Sequence, residues 1–188
     1  MDSYIDITVL PDPEFSAPML MSALFAKLHR AFVALENKHI GISFPRTSEK
    51  PRSLGNVMRL HGTHDQLAQL QSLNWMKGLC DYTDVSSLTL VPINAKFCRV
   101  QRVQVKSNVE RLRRRYQKRH VGVTEADVRG ILPESVEKES TLPFLRINSD
   151  STGQRFLLFI AHSIPTEQSV PGEFNCYGMS AQATVPWF

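Results

Sequence analysis

Residues 111–119 carry five arginines and one lysine in nine positions, the densest group of charge in the chain. Nine of the 22 lysines and arginines lie between Arg99 and Arg119, where Glu110 is the only acid. Without that window the net charge falls from +4 to −4. Guanidinium and ammonium groups packed so closely attract polyanions, so the segment predicts a binding surface for phosphate groups.

This basic run is predicted to be a helix over residues 108–120. Ser107 and Glu110 have the spacing of a capping box, in which two side chains satisfy backbone amides at the helix start. At 100° per residue, five cations share one arc about 140° wide. They are Arg111, Arg114, Arg115, Lys118 and Arg119. Because aligned cations repel one another by a few tenths of a kcal/mol per pair, a phosphate-backbone ligand explains them better than a solvated surface.

His29 is a residue that could transfer protons near neutral pH. It lies at the edge of the apolar stripe of a predicted helix over residues 19–35, beside Ser22. From periodicity alone, a histidine at such a boundary is more often structural than catalytic. No cluster of Asp and Glu has metal-ligand spacing, so we expect no metal and no cofactor. The three cysteines are widely spaced, form no zinc pattern and indicate a reducing cytoplasm.

The first half of the chain alternates strand and helix signals. The helix over 19–35 is one of two, and the second begins at the capping box Thr63–Gln66. Four strands are predicted over residues 4–10, 39–45, 56–62 and 86–93. The order β-α-β-β-α-β is the ferredoxin-like pattern, which many unrelated proteins share. No apolar run is long enough to span a membrane and no signal peptide is evident, so no membrane partner is expected.

A domain boundary is predicted between Pro92 and Lys96. It divides an α+β chain into a ferredoxin-like domain over residues 1–95 and a smaller α+β domain over residues 96–188. The second domain begins with a strand over 97–105, where alternation places Arg102 and Gln104 on one face. The basic helix follows, and an apolar strand is predicted over 155–162.

Seven stretches, taken in order, resemble one protein family. They are PDPEF (11–15), LFAKLHRA (24–31), RVQVKSN (102–108), ERLRRR (110–115), STGQRF (151–156), FNCYG (174–178) and VPWF (185–188). Their order and spacing are similar to those of the Csy-type CRISPR RNA-processing endoribonucleases of type I-F systems, within the Cas6 superfamily. The resemblance implies an N-terminal ferredoxin-like domain, and a C-terminal domain whose arginine-rich helix enters the major groove of a CRISPR repeat hairpin.

The resemblance also implies which residues contact RNA. The cations of the basic helix would hold the phosphates that line the deep, narrow major groove, and would supply affinity more than sequence preference. Arg102 and Gln104 would contact base edges near the bottom of the stem, since Arg pairs bidentately with guanine and Gln with adenine. Phe156 matches an aromatic that stacks on the closing base pair, and a core Phe is an equal alternative. Ser107, Ser151 and Thr152 complete the implied set.

The implied chemistry uses the nucleophile that RNA carries. His29 matches the family's catalytic histidine, which would act as general base on a 2′-hydroxyl. Tyr177 matches a tyrosine that orients this histidine, and the alternative is a strand tyrosine with a surface hydroxyl. Ser149 matches a serine that restrains the ribose, but the segment 147–154 is one residue longer than the family pattern, so Ser151 is the other candidate. Gly153 and Gly178 either let the backbone approach RNA or are turn glycines.

The expected function is therefore a metal-independent cut at the base of each repeat hairpin of the precursor CRISPR transcript. The products would be a 2′,3′-cyclic phosphate and a 5′-hydroxyl. The expected partners are the crRNA stem-loop and the other subunits of the type I-F surveillance complex, in the cytoplasm. One alternative is a structural subunit that binds the hairpin without cutting it. Another, a DNA-binding regulator, lacks a helix-turn-helix or dimerisation signal.

Overall fold

The computed structural model describes residues 1–49, 52–104, 109–120, 123–131, 140–148 and 153–188. The chain divides into two compact units, one of Met1–Val103 with Leu142–Phe188 and the other of Gln104–Thr141. All the strand pairs are antiparallel and the described residues form few helices, so the fold class is α+β. The domain boundary predicted near residue 95 stays a prediction.

The first sheet belongs to the larger unit, and its elements follow the chain. They are β1 (Ser3–Val9), α1 (Ala17–Ala34), β2 (Gly41–Ser43), β3 (Ser48–Glu49), β4 (Arg52–Ser53), β5 (Val57–Gly62), α2 (His64–Ser72), a 3₁₀ turn (Cys80–Tyr82), β6 (Thr83–Val85) and β7 (Thr89–Leu90). The sheet order is β2-β5-β1-β6, with β7 also paired to β1, and β3 pairs separately with β4. Alternate residues of β1 are buried, as its alternating sequence predicts.

Helix α1 packs against this sheet and carries His29, the candidate for proton transfer. Its buried face consists of Leu20, Met21, Leu24, Phe25, Leu28, Ala31 and Phe32. Burying each large apolar side chain contributes about 1.5–3 kcal/mol, so packing fixes the rotation of the helix about its axis. His29 lies at the edge of this face and is half-buried. Helix α2 begins with the predicted capping box, in which Thr63 and Gln66 each accept the other's backbone amide hydrogen.

A second sheet and a separate pair of strands complete the larger unit. Their strands are β8 (Lys96–Cys98), β9 (Val100–Val103), β10 (Phe144–Asn148), β11 (Arg155–His162) and β12 (Val185–Trp187). The second sheet has the order β10-β11-β9, and β12 pairs separately with β8. Strand β11 has the predicted bounds. Its register places Ile160 opposite Arg102, so Arg102 extends from the face on which Leu158 and Ile160 are buried.

Two strand predictions were wrong in detail, and strand pairing explains both. In the run 86–93 only Thr89–Leu90 forms a strand, β7, which pairs with the start of β1. Strand β6 pairs with the end of β1 but stops at Val85, and the hydroxyl of Ser86 accepts the amide hydrogen of Asp6. The run 97–105 is divided at Arg99, where the backbone changes partner from β12 to β11. The amide of Arg99 donates to the hydroxyl of Ser163 at this point.

The smaller unit contains α3 (Val109–Arg119) and α4 (Glu125–Ile131), which pack together. Helix α3 occupies the segment for which a helix over 108–120 was predicted. Thr124 and Asp127 cap α4 through reciprocal hydrogen bonds, and the hydrogen bonds from Thr124 lower the pKa of Asp127. Ser107 lies outside the described residues. None of the helices in the described ranges combines the length and apolarity needed to cross a membrane.

Candidate active site

The centre of the candidate site is a stack of two rings, those of His29 and Tyr177. Their centroids are 4.5 Å apart and their planes differ by 13°. Phe25, one helical turn before His29 on α1, lies nearly parallel to the same tyrosine, with centroids 6.1 Å apart and planes 6° apart. The ring of Tyr177 therefore lies along one turn of α1, packed against both the imidazole of His29 and the ring of Phe25.

A tight loop, not a strand, holds Tyr177. The side-chain oxygen of Asn175 accepts the backbone N–H of Tyr177 at 2.9 Å and that of Met179 at 3.3 Å. Gly178 follows with φ +70 and donates its N–H to the carbonyl of Asn175. Its own carbonyl accepts the N–H of Ile42 at 2.9 Å, which ties the loop to β2. Asn side chains that bond the backbone two residues on are typical of such turns.

Arg102 joins this site from the second sheet. Its guanidinium carbon is 5.5 Å from the ring centroid of Phe156 and 5.7 Å from that of Tyr177. Both distances are within the roughly 6 Å range of cation–π attraction. Phe156 and Tyr177 are half-buried against the core, whereas Arg102 is exposed. A cation, two rings and a histidine thus form one continuous contact chain on the larger unit.

Ser22 connects α1 with the strand that leads to the predicted ribose-restraining segment. Its hydroxyl donates to the carbonyl of Pro18 at 2.8 Å and accepts the backbone N–H of Arg146 at 3.2 Å. Strand β10, which contains Arg146, ends at Asn148. Ser149, Ser151 and Thr152 lie outside the described residues.

Helix α3 carries a separate, strongly positive surface on the smaller unit. Four predicted phosphate-binding cations are exposed: Arg114, Arg115, Lys118 and Arg119. None of the four forms an ion pair with any residue in the described part of the chain. The side chain of Arg111 lies outside the described residues. A helix surface of this kind can bind a polyanion through several phosphates at once.

Comparison with known proteins identifies the family. A family model described as "CRISPR-associated protein (Cas_Csy4)" matches residues 4–188. The chain belongs to the Cas_Csy4 family. A protein of Pseudomonas aeruginosa strain UCBPP-PA14, named CRISPR-associated endonuclease Cas6/Csy4, is 44% identical over 188 residues, which is the whole of both chains. A protein of the same name from Escherichia coli strain UTI89 / UPEC is 47% identical, again over 188 residues and the whole of both chains.

Two other histidines of this Cas_Csy4 chain are unsuited to proton transfer near neutral pH. Burial lowers the pKa of His61 to about 3, and its Nε2 is 2.8 Å from the hydroxyl of Ser43 inside the first sheet. Burial also lowers the pKa of His162 to about 4. His39, His64 and His120 are exposed, and no family motif was matched to any of these five.

The structure brings together some of the predicted site residues and leaves others apart. His29, Tyr177, Phe156 and Arg102 are in one contact chain. Gln104 is exposed and begins the other compact unit. Gly178 is a buried glycine with φ +70 in a turn, which favours the turn alternative, and the approach of its backbone to RNA stays a prediction. In the described ranges, no three His, Cys, Asp or Glu side chains are grouped as metal ligands would be.

Three residues that shape this Cas_Csy4 site were not predicted to do so. Phe25 belongs to the apolar stripe of the helix predicted over 19–35, and its spacing of four from His29 could have suggested a shared ring surface. Ser22 was noted only as a polar neighbour on α1. Asn175 precedes Tyr177 and Gly178 in a pattern typical of turns, and that signal could have predicted the loop.

Proposed function

We propose that this chain is an endoribonuclease that binds the repeat hairpin of the precursor CRISPR transcript and cuts at the 3′ base of the stem. It would then retain the crRNA as a subunit of the type I-F surveillance complex in the cytoplasm. Family membership and the names of the two relatives support the endonuclease activity. The observation that carries the assignment of the site is the stack of Tyr177 on His29.

In this proposal His29 removes the proton from the 2′-hydroxyl next to the scissile phosphate. The 2′ oxygen forms a bond to phosphorus, the bond from phosphorus to the 5′ oxygen breaks, and the leaving oxygen takes up a proton. The products are a 2′,3′-cyclic phosphate and a 5′-hydroxyl. Tyr177 holds the imidazole in position, and Ser149 or Ser151 would restrain the ribose. A phenol is a weak acid with a pKa near 10, so positioning suits Tyr177 better than proton abstraction.

Recognition is divided between the two compact units. The exposed cations of α3 would bind phosphates across the major groove, together with Arg111 and with Ser107 at the predicted start of the helix. Arg102 and Gln104 would read base edges, and Phe156 would stack on the closing base pair of the stem. Residues 1–95 would be the ferredoxin-like domain, which the helix and strand order and the sheet order β2-β5-β1-β6 support.

The test is cleavage of an end-labelled repeat hairpin in the presence of EDTA. His29→Ala should bind the hairpin nearly as well as the parent but cut it roughly 10²–10⁴ times more slowly, the usual contribution of a positioned proton-transfer group. His64→Ala is a matched control, because this exposed histidine at the start of α2 is outside the site and should leave the rate unchanged.

A second substrate tests the nucleophile. A hairpin with one 2′-deoxy sugar just upstream of the scissile phosphate should bind and stay intact. Cutting of this substrate at the normal position would show that an external nucleophile attacks, and the mechanism would be wrong. Binding of the unmodified hairpin without any cut by the parent would instead favour the non-catalytic structural subunit.

A further inference from the structure

Arg102 occupies a position that base reading alone does not require. Its guanidinium lies across both Phe156 and Tyr177, and Tyr177 in turn stacks on His29 at 4.5 Å. A residue that only read a base edge could extend freely into solvent. Here the cation is separated from the candidate catalytic histidine by a single ring, within the same compact unit.

We propose that Arg102 is also a positioning residue, which acts on His29 through Tyr177 and so couples base recognition to the rate of cutting. This inference rests on the proposed function above. The backbone of Tyr177 is fixed by Asn175. The orientation of its ring depends on the groups packed against it, and Arg102 is one that RNA would also contact.

The geometry of a guanidinium allows both contacts at once. Its flat face is attracted to aromatic rings, whereas its N–H groups point outward in the plane and can donate two hydrogen bonds to guanine. A correct base would therefore hold Arg102 where it supports Tyr177. A wrong base would leave these N–H groups unpaired or draw the side chain away, and Tyr177 would lose part of its support.

If Arg102 has this role, the identity of the base that it contacts should change the rate of RNA cleavage as well as the affinity for RNA. When enzyme is saturating and each RNA is cut once, the observed rate no longer reports binding. We expect Arg102→Ala to lower this saturated rate by roughly 2- to 30-fold, the range that corresponds to loss of one cation–π contact. Arg102→Lys keeps a cation for the rings but lacks the planar fork. It should recover most of the rate while the discrimination between base pairs stays lost.

The experiment measures saturated single-turnover cleavage for Arg102→Ala and Arg102→Lys, each in the parent and in a Tyr177→Leu background. Leucine removes the ring, so Arg102→Ala should cause little further loss there. Arg155→Ala controls for the loss of one positive charge. Strand alternation directs Arg155 to the face of β11 opposite Phe156, and its saturated rate should match that of the parent.

Each result has a distinct meaning. An unchanged saturated rate for Arg102→Ala would refute the coupling while leaving the proposed function intact, provided that the parent cuts in a His29-dependent manner. The same would follow if the loss persisted in full without the Tyr177 ring, or if lysine restored none of the rate. If the parent does not cut the hairpin, or if His29→Ala cuts it equally well, the proposed function itself fails and this inference fails with it.

Discussion

Substitution of Gly178 by alanine should both destabilise the protein and disturb the ring stack. Gly178 has φ +70, a backbone conformation that costs an L-residue roughly 1–2 kcal/mol. A Cβ at this position would lie 2.8 Å from a side-chain carbon of Ile42 and 2.8 Å from one of Phe32. Both neighbours are fully buried, so neither can move freely into solvent. Overpacking of this kind costs typically about 1–3 kcal/mol.

The two contributions together predict a loss of about 2–5 kcal/mol in the free energy of unfolding. Gly78→Ala is the matched control, because Gly78 has φ +79 but a Cβ there would meet nothing within 4 Å. It should lose only the backbone contribution, about 1–2 kcal/mol. Equilibrium unfolding in urea measures both variants. With a slope of about 2 kcal/mol/M, the midpoint should fall by about 1–2.5 M for Gly178→Ala and by about half a molar unit or more for the control.

Equal destabilisation of the two variants would refute the packing argument, since only the backbone conformation would then matter. The variants Gly178→Ala and Gly78→Ala can also be compared in cleavage rate, at a temperature where both are folded. Gly178 is adjacent to Tyr177 and its carbonyl accepts the amide hydrogen of Ile42, so a shift of this loop should move the tyrosine ring. Gly178→Ala should therefore cut more slowly at saturation than Gly78→Ala.

Three further outcomes are expected. Replacing Arg114, Arg115, Lys118 and Arg119 together with alanine should reduce affinity and flatten the slope of log affinity against log salt by roughly 0.7–0.9 per lost phosphate contact; an unchanged slope in a salt titration would contradict this. Gln104→Ala should weaken discrimination at one base pair by about 1–3 kcal/mol in a panel of hairpins with swapped lower-stem pairs, and uniform losses across the panel would indicate a backbone contact. Stability should fall as pH drops below the unfolded histidine pKa of 6.5, because burial lowers the folded pKa of His61 to about 3 and the unfolded chain then binds more protons. A buried neutral histidine changes the free energy of unfolding by up to about 1.36 kcal/mol per pH unit in this range. The urea midpoint should therefore fall less between pH 7 and pH 5 for His61→Gln than for the parent, and an equal fall in both would contradict the lowered pKa of His61.

Local sequence signals predicted the elements that local interactions determine. The alternation of β1, the apolar stripe of α1 and the capping box at Thr63 all depend on residues within one element. Strand boundaries near residues 86–93 and 97–105 were misplaced because hydrogen bonds to distant strands set them. The pattern of a single segment cannot contain that information.

The stack of Tyr177 on His29 is a clearer case of a contact that no single segment of sequence could predict. Tyr177 is 148 positions after His29, and no periodicity relates them. Family resemblance suggested that the two belong to one site, but it did not supply the contact of Arg102 with Tyr177 or the parallel ring of Phe25. These contacts depend on the way in which the second sheet and the loop at Asn175 pack against α1. They could be recognised only after the fold was known.

The division of cations between the two units has a consequence for specificity. On the proposed function, the phosphate contacts of α3 would form equally well on a correct and an incorrect hairpin, because phosphates carry no sequence information. They would also be alike before and during bond breaking, and such uniform binding raises affinity without raising the rate of the chemical step. Discrimination in cutting must then come from groups that contact both a base and the reacting site. Arg102 has the contact toward the reacting site, since its guanidinium lies against the ring of Tyr177, which stacks on His29. On the proposed function, a strongly basic helix that binds many RNAs is therefore compatible with selective cleavage, because RNA binding and cutting would depend on different side chains.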